Sequence, residues 1–294
     1  MTQHAPANGI EIAYDTFGGP GDRPLLLVIG LATQMIFWDD AFCARLAADG
    51  HHVVRFDNRD SGLSTQLTGA GVPDLAAVLS GDGDVPYLIE DMADDTAALM
   101  DALGWESCHV AGASMGGMIA QSLAIRHPAR VRSLTSIMST PAASIGEPTE
   151  AALAALLSPP GRNREEAIRQ ALSVWSVIGS PGYPLDRERL TRLSSIAYDR
   201  AGDPTGSARQ LAAILASPDR TPGLAGLSVP SLVLHGQDDQ LIRLAGGLAT
   251  AAAIPGSRLL TFPGMGHDLP YPLWNTIITE IGELTGAAER LRAA

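Results

Sequence analysis

The feature that most constrains this chain is a series of short apolar runs, each followed by a turn and then a helical pattern. PLLLVIG (24–30), HHVVRFD (51–57), SCHVAG (107–112) and SLTSIMS (133–139) are the runs in question. Apolar segments of this length suit strands buried on both faces, the situation of a parallel sheet. Between them lie FWDDAFCARLAADG, stopped by Gly50, and residues 88–104, with Leu88, Met92, Leu99 and Leu103 on one side. MGGMIAQSLAIRHP, ended by Pro128, is a third helix. Ahead of all of them, ANGIEIAYDTFG alternates like a half-exposed N-terminal strand.

The strand rhythm lapses after about residue 140. Up to 223 the chain carries Pro159, Pro160, Pro181 and Pro184 and helical patches such as REEAIRQALSVWSVIG. It resumes with VPSLVLHG (229–236), a helix near 243–253, the strand RLLTFP and a terminal helix from about 272. This order predicts an α/β fold, a doubly wound and mostly parallel sheet with helices on both faces. Residues 1–139 and 224–294 form its two parts, and 140–223 is a helical insertion.

Composition narrows the function classes. The 294 residues carry a formal charge of −12, which repels phosphate backbones and anionic lipid, so neither nucleic acid nor a membrane surface is an expected partner. No run of apolar residues is long enough to span a bilayer. The N-terminus has no charged segment followed by an apolar one, which favours the cytoplasm. Every cationic side chain is arginine; the absence of lysine excludes a P-loop lysine, a Schiff base and a Ser–Lys dyad. Cys43 and Cys108 show no CxxC spacing and read as buried free thiols, so no metal site is expected.

In an open α/β sheet, ligand groups gather at the carboxyl ends of the strands. Ser114 stands there, in GASMGG (112–117), between a buried strand and a helix. Gly112 and Gly116 leave room for a sharp turn that lifts the hydroxyl above the sheet edge. The N–H of Met115, at the helix N-terminus, can donate to a developing oxyanion. This context marks Ser114 as a nucleophile.

A serine nucleophile needs a base oriented by an acid. Of seven histidines, His4 is terminal, His51 and His52 open a strand, His109 lies within one, His127 ends a helix and His235 ends LVLHG. His267, in the glycine-rich PGMGHDLP after the last strand, can swing over the sheet edge and is the expected base. For this order of elements the acid falls between serine and histidine. HGQDDQLI offers Asp239, with Asp238 as the alternate.

With these motifs in view, the chain resembles the α/β-hydrolase superfamily over nearly its whole length. RFDNRDSGLS, DMADDTAALMDALGWESCHVAGASMGG, HGQDD and PGMGH carry the resemblance. It implies that Asp239 is the acid and that 140–223 is a helical cap. Many relatives have His-Gly after the strand matching LLLVIG, where this chain has Ile29-Gly30. The second oxyanion donor would be the N–H of Leu31. VIGLATQ, FDNRDSG and PGMGHDLP are most similar to the aclacinomycin methylesterase group and related bacterial esterases of polyketide-type compounds, with macrolide-lactone esterases as cousins.

Core and cap would enclose an apolar pocket. Gly30, Met35, Phe37 and Trp38 from the core, and Trp175, Ile178 and Tyr183 from the insertion, are its expected walls. The expected reaction is cofactor-free acyl transfer from a hydrophobic small-molecule ester to water. A C–C hydrolase, a perhydrolase or an acyltransferase can use the same triad, and a slowly turning small-molecule receptor can retain it.

Overall fold

The computed structural model describes residues 2–200 and 203–293. Its first elements are β1 (Gln3–Ala7), β2 (Ile10–Phe17), β3 (Arg23–Val28), α1 (Asp40–Ala48), β4 (His51–Phe56), α2 (Leu75–Ser80) and α3 (Ile89–Ala102). Then come β5 (Cys108–Ala113), α4 (Met115–Arg126) and β6 (Val131–Ile137). Five helices follow without a strand: α5 (Glu150–Leu156), α6 (Arg164–Ile178), α7 (Arg187–Arg200), α8 (Gly206–Ala216) and α9 (Thr221–Leu224). The chain closes with β7 (Ser231–Gly236), α10 (Leu244–Ala253), β8 (Arg258–Phe262) and α11 (Trp274–Ala293).

The eight strands form one sheet in the order β1-β2-β4-β3-β5-β6-β7-β8. Every pairing from β4 to β8 is parallel, and β1 and β2 add an antiparallel edge. The strand expected over 7–18 is β2, and the unexpected β1 ahead of it makes the pair a hairpin. Asn8 and Gly9 turn it, at φ 50° and 80°, the left-handed pair that a two-residue hairpin loop requires. Pro6, which cannot donate to a ladder, sits in the outermost strand.

Alternation along β3 shows how the sheet is covered on both sides. Leu26 and Val28 join Met92, Ile119 and Leu123 under α3 and α4. Leu25 and Leu27 face Phe42, Leu46, Ile277 and Ile281 of α1 and α11. Each such leucine, removed completely from water, contributes about 1.5–3 kcal/mol relative to an exposed one. Cys43 and Cys108 are buried and unpaired, and burial pushes each thiol up to about 12. Among the described residues no helix is long and apolar enough to cross a membrane.

One buried side chain ties stability to pH. His109 in β5 is sealed from solvent, with Nδ1 2.8 Å from the Ser133 hydroxyl and Nε2 3.1 Å from Glu289. Burial pushes its imidazole down to about 4, against the pull of Glu289. The unfolded chain, titrating near 6.5, then takes up a proton that the folded chain refuses, so stability falls as pH drops from about 6.5 toward 4. Between pH 7 and 5 this group is expected to remove up to about 2 kcal/mol. Urea unfolding at the two pH values should show a larger loss for the native chain than for His109→Gln; equal losses would refute the assignment.

Candidate active site

Ser114 begins where β5 ends. Its φ of 57° and ψ of −124° place a non-glycine residue in a strained conformation that costs on the order of 1–3 kcal/mol. The strain is held from both sides. The Ser114 N–H donates to the Ile137 carbonyl of β6 at 2.8 Å, and its carbonyl accepts from Gly117 at 2.9 Å as α4 starts. A Cβ at Gly112 would lie 2.0 Å from the Gly116 carbonyl oxygen, and one at Gly116 would lie 2.1 Å from that of Val28. Only glycine permits so close a crossing of strand and helix. The serine occupies the helix N-cap, yet its hydroxyl caps nothing. It lines a cavity instead.

The acid and base loops meet beside that cavity. The Asp239 carboxylate is 2% exposed; Oδ1 accepts from the N–H groups of Leu241 and Ile242 at 2.9 and 3.0 Å. Its Oδ2 lies 2.7 Å from Nδ1 of His267, which fixes the imidazole edge and leaves the other nitrogen free of that bond. Asp238 turns the opposite way, and its Oδ2 accepts from the Gly264 N–H at 2.8 Å. The geometry thus pairs Asp239 with the histidine and gives Asp238 to the loop. His235 packs close by, with Nε2 2.8 Å from the Ile242 carbonyl, and desolvation holds it below the ordinary histidine range.

Gly30 follows β3 and approaches the serine closely: a Cβ there would stand 3.1 Å from Ser114 Cβ. The turn is held by Asn58 Nδ2, which donates to the Ile29 carbonyl at 2.9 Å, and by the Thr33 hydroxyl, which donates to that of Gly30 at 2.9 Å. Leu31 comes next, on the cavity wall. Met115 is fully buried in the core beneath, so only its backbone can serve the site; its N–H is among those that helix geometry leaves unpaired.

The cavity has a volume of about 2280 Å³. Gly30, Phe37, Trp38, Trp175 and Ile178 line it. Phe37 and Trp175 stack across it, centroids 6.2 Å apart, joining the core to α6. Met35 and Tyr183 do not line it. Met35 lies in a short 3-10 turn, completely buried, its N–H donating to Asp57 Oδ1 at 2.7 Å. Tyr183 leans on the face beneath β8, its hydroxyl donating to the Pro263 carbonyl at 3.3 Å. Both differences concern side-chain direction, which spacing alone does not give.

Sequence reasoning missed part of the wall. Leu75 and Leu79 of α2 line the cavity, though only the Asp74 cap and Gly81 mark that helix in the sequence. It also missed Asp268, a cavity residue whose carboxyl is raised above the ordinary aspartate range by burial. Among the described residues no group of three or more His, Cys, Asp or Glu is placed to hold a metal ion.

Comparison with known proteins joins this geometry to a lineage. The family described as the alpha/beta hydrolase fold matches residues 23–271. The chain belongs to the α/β-hydrolase family. Among its curated relatives, rhodomycin D methylesterase DauP of Streptomyces sp. strain C5 is 30% identical, over 95% of this chain and 96% of its own length. DnrP of Streptomyces peucetius, also a rhodomycin D methylesterase, is 29% identical over the same shares. Both agree with the methylesterase group that VIGLATQ, FDNRDSG and PGMGHDLP resemble. The enol-lactonase from Burkholderia xenovorans LB400 superposes with a TM-score of 0.72, over 96% of this α/β-hydrolase and 99% of that chain. At 23% identity it speaks for the fold alone.

Proposed function

We propose that this ester hydrolase works by acyl transfer through Ser114, with His267 as base and Asp239 as the group that orients it. The observation that carries the reading is the 2.7 Å bond from His267 to Asp239, beside the same cavity that the strained Ser114 lines. His267 takes the hydroxyl proton as the serine oxygen attacks the ester carbonyl. The N–H groups of Leu31 and Met115 receive the oxyanion, each such donor typically worth about 3 kcal/mol. His267 then protonates the departing alcohol. Water, deprotonated by the same imidazole, attacks the acyl-enzyme, and the serine leaves with the proton returned. The chemistry needs no cofactor.

The helices of 140–223 act as a cap over this site. A mostly apolar cavity of about 2280 Å³ exceeds the usual 300–1,000 Å³ of small-molecule sites and suits a bulky polycyclic substrate. Together with the methylesterase relatives, this supports a polyketide methyl ester as the substrate class.

Mass spectrometry of products separates the possibilities. The protein is incubated with an aryl ester, an anthracycline methyl ester and a macrolide lactone, with Ser114→Ala as the blank. The expected result is loss of the methyl group as methanol from the anthracycline. A macrolide that gains one water and stays in one piece, with the methyl ester untouched, would replace this substrate class by a lactone.

A further inference from the structure

Residues 178–183 leave the end of α6 and run directly beside residues 264–268. The two segments are built for each other. The His267 N–H donates to the Ile178 carbonyl at 2.7 Å, and the Gly182 N–H to that of Gly264 at 2.9 Å. A Cβ on Gly182 would lie 2.6 Å from Gly264 Cα, and one on Gly266 would lie 2.3 Å from the Gly179 carbonyl oxygen. One side chain of the strap bonds residues on both sides of the histidine. The Ser180 hydroxyl accepts from the Gly266 N–H at 2.9 Å and donates to the Asp268 carboxylate.

Asp239 fixes the His267 ring but not the backbone that carries it. On the sheet side, the Asp238 N–H holds the loop through the Met265 carbonyl at 3.0 Å. Beyond that residue the bonds that hold 266, 267 and 268 go to the strap. A small displacement of that backbone would move the imidazole relative to Ser114, and a misplacement of about 1 Å can cost about 100-fold in rate.

We propose that Ser180 and Asp268 are positioning residues for His267. Their hydrogen bond locks the backbone bearing the base to the end of α6. Because Trp175 and Ile178 of that helix line the cavity, the substrate wall and the base are held as one body. The proposal rests on the hydrolase reading of the site.

The test is a double-mutant cycle with Ser180→Ala, Asp268→Ala and the pair. Two properties are read: the rate at which a fluorophosphonate labels Ser114, and the far-downfield proton resonance of the His267–Asp239 bond. Thermal melting confirms that each variant is folded at the assay temperature. Each single change is expected to slow labelling about tenfold, and the double variant no more than either single one. The resonance should weaken or shift in all three. Labelling at the native rate with an unchanged resonance, or losses that multiply in the double variant, would overturn the proposal. A native chain that the probe fails to label at Ser114 would count against the hydrolase reading; the resonance then decides the positioning role by itself.

Discussion

Ser114→Ala is expected to reduce kcat on an activated ester by about three to six orders of magnitude, with KM little changed. In energy this is roughly 4–8 kcal/mol of lost transition-state stabilisation. On the proposed mechanism the effect is large because alanine removes the oxygen that forms the acyl-enzyme while leaving its surroundings intact. Ser114 Oγ makes no capping bond to α4, so its loss leaves no helix donor newly unpaired. Melting should therefore shift little, which separates a chemical loss from a folding one. Asp239→Asn should cost about 10⁴-fold, within the same range, since the imidazole survives in the wrong tautomer. A Ser114→Ala protein within tenfold of the native rate would remove serine catalysis from consideration.

The largest expected loss of stability comes from Arg209→Ala. Arg209 in α8 is fully buried, with its guanidinium forked onto both oxygens of Asp60 at 2.7 and 2.9 Å and onto Asp203 at 2.7 Å. It also donates to the Gly71 carbonyl and the Thr205 hydroxyl, each at 2.9 Å. Asp60 is itself buried and is otherwise met by the Tyr87 hydroxyl at 2.7 Å and the Leu67 N–H. Removing the guanidinium strands that carboxylate, a change that costs about 3–5 kcal/mol. For a chain of this size the melting temperature should drop by roughly 5–10 °C. Pairing Arg209→Met with Asp60→Asn should recover part of the loss, because the fully buried charge of Asp60 is then gone, while Asp203, 14% exposed, keeps its bonds from the Thr205 N–H and hydroxyl. A shift under about 2 °C for Arg209→Ala would show that water or another cation takes over.

These two residues also mark how far the sequence could be read. The sharp turn at Ser114 was legible because its signal is local: strand, glycine, serine and helix are contiguous, and the conformation they impose is short-range. The parallel strands were legible for the same reason, since each buried run carries its own signature. Asp239 could be chosen over Asp238 by chain order and resemblance, yet only the fold turns one toward His267 and the other toward Gly264. Arg209 belongs to the other kind. Its partner lies 149 positions away, and DPTGSARQ offers nothing that distinguishes a buried arginine from a solvated one. Ser180 and Asp268, 88 positions apart, are equally silent. The N-terminal hairpin was a missed local signal: Asn8-Gly9 was present, but the proline and small residues of QHAPA carry little strand propensity.

The size of the cavity has a bearing on how such a hydrolase spends its affinity. On the proposed mechanism the reacting ester needs only a serine, an imidazole and two N–H groups, a small share of the wall of a cavity of about 2280 Å³. The remaining wall can touch only parts of the substrate that undergo no change. Contact energy gathered there can be used to hold the carbonyl against Ser114, so that distant rings contribute to rate as well as to binding. Trimming the substrate far from the scissile bond should then lower kcat, a loss usually associated with damage to the catalytic groups themselves.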